Sequence, residues 1–362
     1  MARNPSLVKC LVWDLDNTLW HGTILEDEDV QLREAIRETV VALDSRGILQ
    51  SIASKNDLDL AWTRLEQLGM AEYFILPKIG WGRKSDSVRE IADELNFAYK
   101  TIAFIDDQAS ERAEVSFHLP DVRCYTAEKA SSLTVLPEFS PEKVTVDARQ
   151  RRLMYQASFQ RAAERETFAG DDVEFLRSLQ IKLEIQRADT ETLDRVAELT
   201  LRTSQMNATG VPYPHGTLQN LLADPGHEVL VATMSDRFGS HGAIGVILLE
   251  YHSGVWNLKL LATSCRVVSM GAGAAIINWL ADQARRANVH LAADFRATGR
   301  NRMMEVAYRF SGFTEDACEC LTALKPTPDH DDIQRMHLVP ELRSPLDHLR
   351  LDTPVLGRVR QM

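Results

Sequence analysis

Basic residues are the scarcer charge in this 362-residue chain: 41 lysines and arginines face 52 aspartates and glutamates, a net charge of -11. That balance excludes binding to nucleic acid or an acidic membrane through bulk charge, so any anionic partner has to be met by a local basic patch. Cysteine is sparse. Five residues, Cys10, Cys124, Cys265, Cys318 and Cys320, are scattered along the chain and suggest no disulfide framework. Long apolar runs are missing too. The longest, "GAIGVILL" at 242–249, falls far short of the roughly 20 residues that cross a bilayer. The start, "MARNPSLVKC", has no apolar stretch of signal-peptide length. These absences predict a cytoplasmic protein with no nucleic-acid and no membrane partner.

The length exceeds what one ordinary core holds, so two domains are expected. From 8 to about 126, short apolar strands ("VKCLVWD", "ILQSIASKN", "TIAFIDD", "DVRCYTA") alternate with amphipathic helices. Strand–helix–strand repetition predicts an α/β fold with a parallel sheet covered on both faces. A Ser- and Pro-rich stretch then marks a boundary, and a polar helix with five arginines follows, roughly 147–168. Beyond about 175, "IKLEIQRA", "HEVLVATMSD", "GAIGVILLEYH", "VWNLKLLATSCRV" and "VHLAADFRA" read as strands, with helices before and after the last of them. "GFTEDACECLTAL" reads as a last strand. The expected division is a first domain at 1–140, a linker helix at 141–175, an α+β domain at 176–325 and a loosely packed tail at 326–362.

Three strands of the first domain end in reactive residues: Asp14 and Asp16, then Ser54, Lys55 and Asn56, then Asp106 and Asp107. In open α/β sheets chemistry collects at the carboxyl ends of strands. Lys84 precedes the helix that leads to the third of them. Two unit charges ~4 Å apart interact by about 4 kcal/mol at an effective dielectric near 20. A hard divalent cation with oxygen ligands, Mg²⁺, removes the repulsion among four carboxylates. Lys84 and Ser54 would then hold phosphoryl oxygens. The bland alternative for "DLD" alone is a turn with a helix cap. The ordered set "DLDNT", Ser54, Lys84 and "DD" at 106–107 resembles the haloacid dehalogenase superfamily. The resemblance implies that Asp14 attacks phosphorus and that Asp16 acts as acid and base. It also implies that Asp14, Asp16 and Asp106, with Asp107 beside them, carry Mg²⁺, with Thr18, Lys55 and Asn56 among the phosphate contacts. The short segments between motifs leave room for only a minimal cap.

In the second domain Cys265 lies at a strand exit, and Gly271 and Gly273 introduce a helix. Backbone N–H groups at such a turn bind anions. The order of strand, turn and helix resembles the GNAT acyltransferase fold. However, Val268 stands where that pattern has Arg or Gln, and Arg266 lies farther from Gly271. This departure speaks against ordinary acetyl-CoA binding. Cys265 beside Arg266 reads either as an activated thiol or as a small buried hydrophobe. His241 reads as a base for that thiol or as a loop residue, and Asn207 as a substrate contact or a cap. Cys318 and Cys320 lack further Cys or His at zinc-ligand spacing and read as structural.

Taken together, "VWDLDNTLWHGT", "SIASKND", "FIDDQASERAEV", "RTSQMNATG", "SDRFGSHGAIGV", "ATSCRVVSMGAG" and "ADFRATGRNRMMEVAYRFSGF" resemble the stand-alone FkbH family of polyketide pathways over about 8–315. The resemblance implies that 1,3-bisphosphoglycerate loses phosphate and delivers a glyceryl group to the phosphopantetheine arm of an acyl carrier protein. That is an early step toward methoxymalonyl extender units, with Cys265 as the thioester-forming residue. The alternative is a plain Mg-dependent phosphatase carrying a carrier-protein or acyl-CoA binding domain. Docking of an acidic carrier calls for positive charge. The arginines at 285, 286, 296, 300, 302 and 309 are one candidate surface, and those at 149, 151, 152, 161 and 165 another.

Overall fold

The computed structural model describes residues 6–357 apart from 28, 142, 204 and 325–331. The chain divides into two compact units, Met1–Phe159 and Gln160–Met362.

The first unit begins with β1 (Cys10–Trp13), a short hairpin of β2 (Trp20–His21) and β3 (Gln31–Leu32), and α1 (Glu34–Ser45). Then come β4 (Leu49–Ser54), α2 (Leu58–Gln67), β5 (Lys78–Ile79), α3 (Lys84–Leu95), β6 (Ile102–Asp106), α4 (Ala109–His118) and β7 (Arg123–Thr126). A five-stranded sheet runs in the order β5-β4-β1-β6-β7, and every pairing in it is parallel. Both faces are covered, so the central strands are continuous buried runs rather than alternating ones. Trp13 donates its indole N–H to Gln50 at 3.1 Å, and Gln50 donates in turn to the Val40 carbonyl. Among the described residues between β1 and α1, the regular structure is the β2–β3 hairpin.

The stretch read as a linker helix comprises α5 (Val146–Arg149), α6 (Arg151–Thr167) and α7 (Asp172–Ser178). The division between the units falls inside α6. Tyr155 and Phe159 pack into the first unit's core, whereas Arg161 is bound within the second.

The second unit continues with β8 (Ile181–Arg187), α8 (Leu193–Arg202), α9 (His215–Ala223), β9 (His227–Asp236), β10 (Gly239–His252) and β11 (Val255–Thr263). It closes with α10 (Ala272–Arg286), β12 (His290–Phe295), α11 (Arg302–Phe310), β13 (Gln334–Leu338) and β14 (Leu349–Asp352). Its seven-stranded mixed sheet has the order β13-β12-β11-β10-β9-β8-β14. α10 lays Ala272, Ile276, Trp279, Leu280 and Ala284 on the core, the spacing of one helical face. Two expectations change here. The segment 313–324 is not a strand; it forms a short 3₁₀ turn at Glu319–Ala323. The region 326–362 is not a loose tail, because β13 pairs antiparallel with β12 and β14 parallel with β8. Of that region, 326–331 and 358–362 lie outside the described residues. Among the described residues no helix is long and apolar enough to cross a membrane.

Candidate functional site

Parallel pairing puts the carboxyl ends of β1, β4 and β6 on one edge. Trp13 sits opposite both Ile52 and Ile105, and the Asp14 N–H donates to the Ile105 carbonyl at 2.9 Å. Asp14, Ser54 and Asp106 therefore emerge side by side. The chain after β1 turns tightly: the N–H groups of Thr18, Leu19 and Trp20 all converge on the Leu15 carbonyl. Asn17 takes the left-handed conformation (φ 54°), which a short polar side chain tolerates.

Lys84, the first residue of α3, enters this edge and is almost wholly buried. Its Nζ lies 2.7 Å from Asp14 Oδ1 and 2.5 Å from Asp106 Oδ2. Burial pushes the Asp14 carboxyl up to about 6; Lys84 opposes that shift and the neighbouring Asp106 reinforces it. Burial, then Asp106, pushes Asp107 upward as well. For Lys84, burial favours the neutral amine, but the two carboxylates outweigh it and the net direction is upward.

Carboxylate oxygens of Asp14, Asp106 and Asp107 lie within 4.8 Å of one another, and Oδ1 of Asp107 is buried without a hydrogen-bond partner. One ammonium among three carboxylates leaves an excess of negative charge. A hard dication suits that donor set, so the residues present fit Mg²⁺. Asp16, expected as a further metal ligand, stands outside this trio. Its Oδ1 accepts from Trp20 Nε1 (2.8 Å) and Ile24 N (3.2 Å), and its Oδ2 accepts from Asn56 Nδ2 (2.9 Å).

Of the other expected phosphate contacts, Thr18, Asn56 and Lys55 hold partners within the chain. The Thr18 hydroxyl donates to Asp14 Oδ2 at 3.1 Å and accepts from the Asp107 N–H at 2.9 Å, so it ties two loops together. Asn56 is buried and orients Asp16. Lys55 is exposed and pairs with Glu111 at 2.7 Å. Ser54 is buried at the end of β4. Trp20 and Arg112 were not foreseen: Trp20 holds Asp16, and Arg112 donates to the carbonyls of Asp106 and Asp107 at 2.7 and 2.8 Å. An acidic-pair motif followed by an arginine on the next helix turn was the available signal for the second.

In the second unit Ser264 bonds through its N–H to the Ile244 carbonyl, and the next residue, Cys265, is exposed at the start of a 3₁₀ turn, Cys265–Met270. Gly271 ends that turn with φ 78° and leads into α10. Arg266 is exposed, and its Nε bonds to Ser264 Oγ at 3.2 Å. His241 sits where the β9–β10 register slips, and a bulge of this kind re-aims a side chain. Its Nε2 lies 3.0 Å from Asp236 Oδ2 and 3.1 Å from Arg161, which itself pairs with Asp236 at 2.6 Å. His241 is thus bound into a buried ion pair and makes no hydrogen bond to Cys265. Burial raises the Asp236 carboxyl, but the bonds from His241 and Arg161 win and hold it well below the usual carboxylate range.

Asn207 is buried and spent on main-chain groups. Its Oδ1 accepts from the N–H groups of Thr209 and Gly210, and its Nδ2 donates to the Thr200 carbonyl. The segment around it fills a gap in the sheet. β11 and β12 pair only from Val255–Leu258 to His290–Ala293. Beyond that, Thr263 N–H donates to Met206 O, Ala208 N–H to Leu261 O and Arg296 N–H to Ala208 O.

The arginines are partly committed too. Arg151, Arg152, Arg161 and Arg165 all hold internal partners, and Arg285, Arg286 and Arg309 pair with acids close by in sequence. Arg149, Arg300 and Arg302 are exposed.

Neither a protein-family model nor a curated protein matches the chain. Among solved structures it is similar to the phosphatase-containing N-terminal part of a Bacteroides fragilis protein complexed with Mg. The identity is 29% over 37% of this chain, with a TM-score of 0.33, and the chain spans 40% of that protein's length. It is also similar to 3-deoxy-D-manno-octulosonate 8-phosphate phosphatase from Moraxella catarrhalis (19% identity, 29% of this chain and 61% of that one, TM-score 0.25). A further likeness is to Tetrahymena GCN5 (17% identity, 45% of this chain and 98% of that one, TM-score 0.34).

Proposed function

We propose that the first unit is a phosphohydrolase and the second an acyl-transfer unit. Together they convert 1,3-bisphosphoglycerate into a glyceryl thioester on an acyl carrier protein with loss of phosphate, as in the FkbH family that the motifs resemble. The observation that carries the reading is the buried Asp14–Lys84–Asp106 cluster beside a separately held Asp16. Asp14 has one oxygen on Lys84 and the other on Thr18, which fixes its carboxylate for attack on phosphorus. Asp16, fastened by Trp20 and Asn56, gives a proton to the departing oxygen and later takes one from water. Asp14, Asp106 and Asp107 would hold Mg²⁺, which when bound supplies charge neutralisation at phosphoryl oxygens.

The substrate's other end is a mixed anhydride, and Cys265 is the exposed thiol suited to it. Its sulfur bonds to the acyl carbon as the C–O bond to phosphate breaks, and the thiol proton leaves on the departing phosphate. The carrier's phosphopantetheine thiol then takes the acyl group and returns the proton to the Cys265 sulfur. Arg300 and Arg302 are exposed cations suited to an acidic carrier.

The test is intact-mass spectrometry of enzyme and holo carrier protein after incubation with 1,3-bisphosphoglycerate and Mg²⁺. The expected result is a glyceryl adduct on both. Cys265→Ala abolishes both adducts, and Asp14→Asn blocks phosphate removal. Unchanged adducts in Cys265→Ala would overturn the nucleophile assignment. The commitment of His241 to Arg161 and Asp236 favours a second reading, a phosphatase with a carrier- or acyl-CoA-binding unit. That reading predicts phosphate release by the wild type and an adduct in none of the proteins.

A further inference from the structure

The spacing of Cys318 and Cys320 speaks against a metal site, but the fold does not. β12 and β13 pair antiparallel with Ala292 opposite His337. His290 is two residues from Ala292 and so shares its sheet face, which brings the two imidazoles together diagonally. Their nitrogens, Nδ1 of His290 and Nε2 of His337, are 2.9 Å apart. The segment after α11 is fastened over the same face by reciprocal main-chain bonds between Thr314 and His337, 2.9 and 2.7 Å. It delivers Cys318, whose Sγ lies 3.5 Å from His290 Nδ1. Cys320 and Leu321 pack beside Val255, Ala292 and Leu324. One ligand atom from each of His290, Cys318, Cys320 and His337 lies within 4.8 Å of all the others.

We propose that these four side chains form a structural zinc site. Zinc is held tetrahedrally by Cys sulfur at about 2.3 Å and His nitrogen at about 2.0–2.1 Å, which sets ligand-to-ligand separations of about 3.3–3.8 Å. The four atoms need shifts of well under a side-chain length to reach those edges. Two thiolates and two neutral imidazoles neutralise a dication completely, so this partly buried site needs no further charge. Soft sulfur with imidazole selects zinc over the hard Mg²⁺ that suits the Asp14 cluster. All four positions come from protein, which marks the site as closed and structural. It fastens β13 and the 314–324 segment onto β12. Cys318 and His337 also line a pocket of about 500 Å³ that gives an ion access.

The full-length protein, produced with zinc and desalted, is measured for metal by inductively coupled plasma mass spectrometry. About one zinc per chain is expected, and the Cys318→Ser/Cys320→Ser variant should lose it, whereas Asp14→Asn should keep it. A second readout needs no variant. In the wild type a strong chelator should release the zinc and at the same time expose two thiols to a thiol reagent. Cobalt exchanged into the site should show the visible bands of a tetrahedral thiolate complex. Zinc-free wild type, zinc retained by the double variant, or a Cys318–Cys320 disulfide in the native protein would each overturn the assignment.

Discussion

Replacing Lys84 by Met removes the ammonium that pairs with Asp14 and Asp106 and leaves both carboxylates in place. Lys84 and Asp106 are nearly or wholly inaccessible, and Asp14 is 4% exposed. At 2.7 Å and an effective dielectric near 20, each Lys84–carboxylate contact is worth roughly 6 kcal/mol of attraction before desolvation is counted. Much of that is offset by the cost of burying the ions, several kcal/mol each. What survives in a variant is the penalty of uncompensated buried charge, about 3–5 kcal/mol. Urea unfolding at neutral pH in the presence of a chelator should therefore show an unfolding free energy lowered by that amount, read as a lower midpoint with little change in slope. Lys84→Met/Asp106→Asn supplies the internal control. The asparagine removes one negative charge yet keeps an oxygen for the Gln108 N–H that Asp106 accepts at 2.7 Å. The double variant should be more stable than Lys84→Met alone, and with Asp106→Asn completing the cycle the coupling energy should be about 1–3 kcal/mol. A loss under about 1 kcal/mol in the single variant, or purely additive losses in the double, would refute the charge argument.

Four other outcomes follow from the geometry. Mg²⁺ at 100 times its Kd should stabilise the wild type by about 2.7 kcal/mol in thermal unfolding, and Asp107→Asn should lose most of that gain. Asn56→Ala removes a donor from Asp16, so steady-state phosphate release should fall about tenfold in kcat, with KM little changed because Asn56 is spent on Asp16. Arg161→Met should cost about 3–5 kcal/mol at pH 7. Because Asp236 is held below its unfolded value, that contribution is complete above pH ~4 and shrinks as pH falls below it, which denaturation at pH 6 and pH 3 compares. Gly271→Ala forces a side chain to φ 78° and brings its Cβ to 3.3 Å from His348 Nε2, so about 1–2 kcal/mol should be lost in urea unfolding.

The Asp14 cluster was legible because it needs only local information. Its three carboxylates stand at the ends of short apolar strands, and parallel pairing brings such strand ends to one edge whatever the helices between them do. The direction of a side chain is not local in this sense. Asp14 and Asp16 are two apart, yet the turn onto Leu15 sends Asp16 toward Trp20 and Asn56 instead of into the trio. Likewise a β-bulge at His241, invisible in composition, aims that ring at Arg161 and Asp236.

The His290, Cys318, Cys320 and His337 cluster shows the deeper limit. His290 and His337 are 47 positions apart, and they meet only because β13 adds to the sheet edge. The Pro-, His- and Asp-rich composition around β13 reads as a loose tail, and an edge strand contradicts it at little sequence cost. Its attachment is main-chain hydrogen bonding, to which side chains are largely indifferent, and in "QRMHL" only Met336, His337 and Leu338 are buried. A ligand set assembled by such a strand has no characteristic spacing. Two short-spaced cysteines with histidines far away in sequence are therefore better judged by which sheet edge their segment can reach than by the count of residues between them.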